Sequence, residues 1–359
     1  MHTQVSSAAQ SSIDVGLKGI RPAKGANAVG IWLLIVAAMV YAMILVGGAT
    51  RLTDSGLSIT EWKPITGALP PMNAEDWASE FDKYRSHTAE YKLQNKGMEL
   101  HEFKNIYWWE WGHRLLGRLV GVVFLIPFLV FWALGWTTPR LRRRLWALFA
   151  LGGLQGFIGW WMVSSGVGET NRVDVAPYRL MTHFSLALLI IGGCVWTWLS
   201  LREKPRFIDD NRARNWAAIL LATASLQMML GALVAGLDAG RTYTDWPLMD
   251  GAVIPQAYWD GALGVRNFFE NVATVQFNHR FVAYCLLGLS LYAAFKFSRA
   301  ANGWFKKTAH GVAGQSVLGV VTLVFGAPLG LGLLHQALGT IVLLSTVILF
   351  WQCSARREV

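Results

Sequence analysis

The 359-residue sequence is 53% hydrophobic and only 15% charged. Soluble domains carry nearer a quarter charged residues, so this composition favours a membrane protein. The net charge of +10 does not indicate nucleic-acid binding, because Lys and Arg concentrate in short gaps between apolar runs and no RNA-binding motif accompanies them. The three cysteines form no CxxC pair, which argues against a disulfide framework or a zinc site.

Eight apolar runs are long enough to cross a bilayer core, which requires about 20 residues per helix. They lie at 30–50, 115–136, 145–165, 180–201, 215–237, 279–297, 311–328 and 329–352. The last two runs meet at Gly326, Pro328, Gly330 and Gly332, which we expect to form a tight turn. The sequence therefore predicts an all-α membrane protein with eight transmembrane helices.

Basic residues concentrate in alternate gaps between these runs. The gap between the second and third runs contains Arg140, Arg142, Arg143 and Arg144. The gap between the fourth and fifth runs contains Arg202, Lys204, Arg206, Arg212 and Arg214. The gaps at 51–106 and 238–270 are mixed or acidic instead. Since basic loops stay on the cytoplasmic side, we expect both termini in the cytoplasm and both long loops outside a bacterial inner membrane.

The two halves of the sequence resemble each other. The segment 47–71 matches 231–255, EWGHRLLG (110–117) matches QFNHRFVA (276–283), and LMTHFSLAL (180–188) matches LLHQALGT (333–340). Four helices per half make these parallel repeats, related by an axis along the membrane normal. We expect four-helix halves at 30–201 and 215–353, a linker at 202–214, a flexible tail at 1–29 and a short tail at 354–359.

Four histidines occupy matching places, each near the outer end of an even-numbered helix: His113, His183, His279 and His335. Imidazoles inside membrane helices need a partner, and facing pairs in a four-helix bundle can hold a haem iron. The residue four positions later is always small (Gly117, Ala187, Ala283 and Gly339), which leaves room for a flat macrocycle. Interhelical hydrogen bonding is the simpler alternative, and zinc or copper is less favoured because no thiolate and few carboxylates accompany the imidazoles.

Charged residues near these histidines suggest further roles. Arg114 and Arg280 each follow a histidine, where a guanidinium suits a haem propionate or simply extends to the membrane interface. Arg51, in the predicted loop after the first helix, is a weaker candidate for the same role. Glu110 lies one turn before His113, whereas the second half has Gln276. Glu110 could move protons or stabilise positive charge that develops on a substrate. Alternatively, its negative charge could simply be favoured near the N-terminus of a helix by the helix dipole.

The stretches GGATRLTDSGLSITEWKPITGALPP, EWGHRLLGR and FNHR and the paired late histidines resemble haem A synthases, over about residues 27–353. The resemblance is to the proteobacterial and mitochondrial branch. It implies oxidation of the C8 methyl group of haem O to a formyl group. It also implies that His113 and His183 flank the substrate, that His279 and His335 ligate a haem b cofactor, and that Glu110 is essential. Another branch carries a cysteine pair in an outer loop, which this sequence lacks.

The resemblance further implies haem O synthase and a redox protein as partners, in addition to the lipid bilayer and a possible homo-oligomer. Two other functions fit the residues alone. A dihaem cytochrome b would carry electrons without an organic substrate, and a transporter could also be built from parallel repeats. The transporter requires polar residues along a path near the midplane, and the inner halves of these helices contain few.

Overall fold

A computed structural model describes residues 20, 22, 24–202 and 210–354. Within these ranges the chain contains helices and turns but no strand of a sheet. Eight helices are longer than 20 residues: α1 (Ala26–Leu52), α2 (Leu100–Ala133), α3 (Pro139–Val163), α4 (Pro177–Arg202), α5 (Asn211–Gly236), α6 (Val272–Lys296), α7 (Trp304–Val324) and α8 (Leu329–Ser354).

Six of these helices, α1 to α5 and α8, are long and apolar enough to cross a membrane. An all-helical membrane protein is therefore confirmed as the fold class. The helices α6 and α7 are not among these six. A total of eight transmembrane helices stays a prediction.

The apolar run predicted at 115–136 belongs to a longer helix, α2, which already begins at Leu100. Glu99 and Glu102 form a capping box that starts the helix, and Phe103 and Tyr107 pack into a separate apolar cluster. The 34 residues of α2 span about 51 Å, which is longer than the roughly 30 Å needed to cross a bilayer core. Hydropathy alone could not locate this polar start.

The outer segment between α1 and α2 folds over the start of α2. It contains the helices Ala74–His87 and Ala89–Leu93, capped by the side chains of Asn73 and Thr88. Trp77, Phe81 and Tyr84 pack with Phe103 and Tyr107 in an apolar cluster separate from the main core. This cluster fixes the loop that follows α1 against α2.

The turn between α7 and α8 is confirmed, but with fewer residues than predicted. Gly326 has φ +71° and Ala327 has φ +53°, and α8 begins directly after Pro328. Gly330 and Gly332 lie inside α8, so their assignment to the turn was wrong. Only Gly326 is needed there for its left-handed backbone conformation.

Helix contacts arrange the chain in two groups of four. Helix α1 contacts α2 and α4, and α3 contacts the same two helices. In the second group α5 contacts α6 and α8, and α7 contacts the same two. The groups meet through α4 with α5 and α1 with α8, and one apolar core contains residues of both.

The predicted domain boundaries need small corrections. Helix α1 already begins at Ala26, inside the predicted tail 1–29, and most of that tail lies outside the described residues. The predicted linker 202–214 is helical at both ends, since α4 ends at Arg202 and α5 begins at Asn211; residues 203–209 are outside the described ranges. Ser354 still belongs to α8, and 355–359 are likewise not described.

Candidate haem-binding site

A cavity of about 920 Å³ lies among the long helices and brings together the four predicted ligand histidines. The small residues one turn after each histidine, Gly117, Ala187, Ala283 and Gly339, line the same cavity. Glu110 and Glu90 also contribute to its wall. The cavity is therefore mainly apolar, with a few polar groups gathered near the histidines, as in most sites for cofactors.

Each histidine ring stands against a glycine of the preceding long helix. A Cβ built on that glycine would lie 3.0 Å (Gly47–His113), 2.9 Å (Gly159–His183), 3.2 Å (Gly231–His279) or 2.9 Å (Gly319–His335) from the nearest ring atom. A methyl group at these positions would push the imidazole from its place. The glycines therefore let the ring edge approach the helix backbone closely.

Three of the four histidines also contact a glutamine on that same preceding helix. The amide Nε2 of Gln227 lies 3.1 Å from Nδ1 of His279, and that of Gln315 lies 3.0 Å from Nδ1 of His335. The amide Nε2 of Gln155 lies 3.2 Å from Nε2 of His183. Each of these side chains is thus within hydrogen-bonding distance of an imidazole nitrogen.

The ring centroids of His279 and His335 lie 6.5 Å apart, on the facing helices α6 and α8. Two metal–imidazole bonds of about 2 Å each, with each ring centre about 1 Å beyond its nitrogen, place the centroids about 6 Å apart. The pair therefore fits the two axial positions of one iron. Both rings also line the cavity, so a planar macrocycle would have space around that iron.

Glu110 is buried, with 3% of its surface exposed, and its carboxylate is fully occupied. Its Oε2 accepts hydrogen bonds from the hydroxyl of Ser58 and the backbone N–H of Ile59, both at 2.7 Å. Its Oε1 accepts from Arg114 Nη2 at 2.6 Å and Nε at 3.1 Å. These four donors hold a negative charge in a fixed position one turn from His113.

The second half lacks this charge at the matching position. The Nε2 of Gln276 donates to the backbone carbonyl of Tyr243 at 2.8 Å, and its buried Oε1 has no partner among the described residues. Tyr243 occupies the position of Ile59 in the repeat. The two halves therefore share a loop contact, but at this position the first half has an ion-paired carboxylate and the second half has an amide.

Arg114 and Arg280 tie the outer loops to their helices in the same way. Arg114 donates to the carbonyls of Ile59 and Glu61 at 2.7 and 2.9 Å. Arg280 donates to the carbonyls of Tyr243 and Asp245, both at 2.9 Å. Both guanidinium groups thus already have backbone acceptors, and their contact with a propionate stays a prediction.

Arg51 lies in the last turn of α1, not in the following loop as predicted. Its guanidinium contacts Asp54 at 2.9 Å, Asp174 at 3.3 Å and Asp238 at 2.6 Å. Asp238 belongs to the second half, so this cluster connects the halves beside the cavity. Burial raises the pKa of Asp174, although the charge of Arg51 acts in the opposite direction.

Glu90, in the short helix Ala89–Leu93, is a second buried carboxyl group beside the cavity. Burial raises its pKa to about 8, a hydrogen bond with Tyr84 lowers it, and the negative charge of Asp174 adds to the rise. Its Oε2 has no partner among the described residues. A carboxyl group in this environment is mostly protonated at neutral pH.

The sequence analysis missed Glu90, the three glutamines and the glycines that face the histidines. The three glutamines and three of the glycines share a pattern that is visible in the sequence. QGFIG (155–159), QMMLG (227–231) and QSVLG (315–319) repeat one Gln-x-x-x-Gly spacing in three helices that precede a histidine helix. Glu90 has no such signal, because its burial depends on how the outer segment folds.

Comparison with known proteins shows the family of the chain. A family model described as "Cytochrome oxidase assembly protein" (COX15-CtaA) matches residues 30–347. A "Heme A synthase" of Hyphomonas neptunium is 54% identical over 329 residues, covering 91% of this chain and 93% of its own. The "Heme A synthase" proteins of Bradyrhizobium diazoefficiens and Maricaulis maris are 49% and 47% identical and cover 94% and 93% of this chain, and 94% and 97% of their own length. The chain therefore belongs to the COX15-CtaA family of cytochrome oxidase assembly proteins.

Proposed function

We propose that the chain is a haem A synthase, an oxidoreductase that converts the C8 methyl group of haem O to the formyl group of haem A for terminal oxidases. The observation that carries this proposal is a cavity lined by two histidine pairs, with an ion-paired carboxylate, Glu110, one turn from His113 and an amide, Gln276, at the matching position before His279. That asymmetry separates a half for chemistry from a half for electron transfer.

His279 and His335 would hold haem b, because their 6.5 Å centroid separation suits one shared iron. When bound there, haem b supplies one-electron redox chemistry that can carry electrons from the substrate. The protein contributes the ring orientation: Gly231 and Gly319 let the imidazoles approach the helices, and Gln227 and Gln315 contact them.

His113 and His183 would bind the haem O substrate in the first half, where Glu110 lies one turn from His113. Oxidation of a methyl group through an alcohol to a formyl group releases protons and draws electron density from the reacting carbon. A carboxylate held by Ser58, Ile59 and Arg114 provides a fixed negative charge toward such a centre. The hydroxyl of Ser58 also gives Glu110 a contact through which a proton can move.

The membrane arrangement that fits this function has all eight long helices crossing a bacterial inner membrane. Both termini would then be cytoplasmic, and both haem sites would face the outer, periplasmic side. The two groups of four helices would be parallel repeats. The basic residues between α2 and α3 support this orientation, and so do the outer segments rich in acidic residues. Haem O synthase would supply the substrate and a redox protein would accept electrons, and a homo-oligomer would have to leave both routes open.

A dihaem cytochrome b without an organic substrate is the second candidate, since four histidines and a redox cavity would also serve an electron carrier. The haems extracted from the purified protein distinguish these two candidate functions. An electron carrier contains haem b alone, whereas a haem A synthase also contains haem O, its alcohol or haem A.

The test of Glu110 uses the purified Glu110→Gln protein. This variant should keep its haem but accumulate haem O or the alcohol, because the fixed charge is lost while the side-chain volume is retained. Glu75→Gln, on the exposed face of the outer helix Ala74–His87, is the matched control. Normal haem A formation by the Glu110→Gln protein would remove Glu110 from the mechanism.

A further inference from the structure

Glu90, on the short helix Ala89–Leu93, belongs to the cavity wall and has one oxygen without a partner. The residue is 2% exposed. Tyr84 forms a hydrogen bond with Glu90, and its hydroxyl accepts one from the side chain of Asn95 at 2.8 Å. The Oε2 of Glu90, by contrast, has no partner among the described residues. Since buried polar atoms normally have a hydrogen-bond partner, this oxygen requires one that enters the cavity.

The helix of Glu90 lies beside the segment that precedes α4. The backbone N–H of Gly168 in that segment donates to the carbonyl of His87 at 2.8 Å, and a single β-bridge joins the same two stretches of chain. The segment also contains Asp174, which lines the cavity and contacts Arg51 at 3.3 Å. The side chain of Asp174 is about one-third exposed. Carboxyl groups therefore continue from the buried wall of the cavity to the outer surface.

The charges around Glu90 come from several elements. They belong to Asp54 and Arg51 at the end of α1, Glu110 on α2 and Asp174 before α4, with the hydroxyl of Tyr84 beside them. Burial raises the pKa of Glu90 to about 8, the hydrogen bond with Tyr84 lowers it, and the negative charges of Asp174, Glu110 and Asp54 raise it further. A carboxyl group that titrates near ambient pH can both take up and release a proton.

Glu110, which is also buried in this wall, has no comparable free oxygen. Four hydrogen bonds from Ser58, Ile59 and Arg114 occupy its two oxygens. This arrangement suits a charge that stays in place. A carboxyl group with a free oxygen suits a proton that moves, so the two groups fit different tasks.

We propose that Glu90 is a proton-transfer residue, which accepts a proton from the substrate side of the cavity and releases it to the outer surface through Asp174. The assignment rests on the proposed function, because it is oxidation of the substrate that releases protons there. It adds a second carboxyl group to the first half, with a task that Glu110 does not perform.

The last oxidation step shows what has to leave the cavity. When the alcohol becomes the formyl group, one C–H and one O–H bond break, the C=O bond forms, and two electrons and two protons are released. The electrons pass to the redox acceptor of the proposed function. Glu90 gives its own proton to the carboxylate of Asp174 or to water at the surface, and the resulting carboxylate then accepts one proton from the cavity. A second cycle removes the other.

Infrared difference spectroscopy of the purified protein between about pH 6 and pH 9 tests the protonation of Glu90 without any turnover. The carbonyl stretch of one neutral carboxyl group should disappear as the pH rises, with a midpoint near pH 8. Glu90→Gln should lack this change. Asp174→Asn should move the midpoint to lower pH, because the negative charge of Asp174 favours the neutral form of Glu90. A midpoint that Asp174→Asn leaves unchanged would overturn the route through Asp174.

Haem extraction from membranes that also contain haem O synthase tests the transfer itself. Glu90→Gln should raise the ratio of the alcohol to haem A several-fold, whereas Glu90→Asp should restore most of the haem A. The amide matches the shape of glutamate better than the shorter aspartate does, so a purely structural role predicts the reverse order. Normal haem A formation by Glu90→Gln, or equal losses in both variants, would overturn the proposal.

The matched control is Glu80→Gln, on the outer helix Ala74–His87. Glu80 is also largely buried and contacts Lys83 at 2.9 Å, but it lines a second, smaller pocket. This variant should keep the infrared change and form haem A normally. Alcohol accumulation equal to that of Glu90→Gln would assign the effect to the packing of the outer segment and overturn the proposal. If the unaltered protein contains haem b alone, the proposed function fails, and the infrared titration still reports on Glu90 and Asp174.

Discussion

Glu110 and Arg114 lie one turn apart on α2 and form an ion pair, with Oε1 and Nη2 2.6 Å apart and both side chains largely buried. The same guanidinium donates to two carbonyls of the outer loop, and the same carboxylate accepts the N–H of Ile59 from that loop. The pair therefore has two roles: it holds a charge beside the cavity, and it anchors the loop that follows α1. This double role makes it sensitive to conservative changes.

Arg114→Lys should reduce haem A formation by about tenfold or more. Lysine keeps the charge but cannot reproduce the fork that contacts Glu110 and two carbonyls, and a hydrogen bond to a charged group contributes about 1.5–3 kcal/mol. Haem A per protein in membranes that also contain haem O synthase gives the measurement.

Arg118→Lys is the control for this experiment. Arg118 lies one turn further along α2 and donates to the carbonyls of Lys63 and Pro64, without contacting Glu110. Its replacement should cost much less activity. Equal losses in both variants would mean that loop anchoring alone matters and the ion pair does not.

Gly319→Ala should weaken haem b binding by about tenfold or more, because overpacking in a filled site costs about 1–3 kcal/mol. The new methyl group would lie 2.9 Å from Cε1 of His335 and displace the ring. Gly314→Ala, on the same helix with nothing within 4 Å of the new methyl group, should retain haem b. The haem-to-protein ratio after purification decides between them; full retention in Gly319→Ala would contradict the close approach.

Glu90→Gln should stabilise the protein above neutral pH. The pKa of Glu90 is raised to about 8 in the folded protein, chiefly by burial. Stability is therefore highest below the unfolded pKa and falls as pH rises toward 8, because only the unfolded chain releases the proton in that window. Each pKa unit corresponds to about 1.4 kcal/mol, so the penalty amounts to a few kcal/mol at pH 8.

Thermal unfolding in detergent between pH 5 and 8 measures this effect. The difference in Tm between Glu90→Gln and the unaltered protein should grow with pH and be small at pH 5. A constant difference would show that Glu90 titrates normally. Glu169→Gln, at an exposed carboxylate outside the helices, is the control and should produce no such trend.

Arg51→Leu should destabilise the protein by about 1.5–3 kcal/mol, because it removes charged hydrogen bonds to partly exposed carboxylates of both halves. The deficit should shrink on acidification, since burial raises the pKa of Asp174 and its protonation removes one of the charges that Arg51 balances. Arg241→Leu is the comparison: Arg241 also contacts Asp238, at 3.7 Å, but is about half exposed. Similar Tm losses in both variants would contradict a central role of Arg51.

The sequence was most informative where a residue pattern has one common structural interpretation. Apolar runs predicted the long helices, and the repeated histidines predicted that His279 and His335 face each other across one cavity. It was less informative where function depends on contacts between segments. The polar start of α2 depends on packing against Trp77 and Phe81, and the burial of Glu90 depends on the fold of the outer segment. The glutamines lay between these cases, because their spacing was visible but their contact with the imidazoles was not.

The division of the cavity into a cofactor half and a substrate half is tested most directly by the pigments of four purified variants. His279→Ala and His335→Ala should lose haem b, whereas His113→Ala and His183→Ala should retain haem b and lose haem O, its alcohol and haem A. A protein in which all four variants lose the same pigment, or in which the unaltered chain contains haem b alone, would contradict this account.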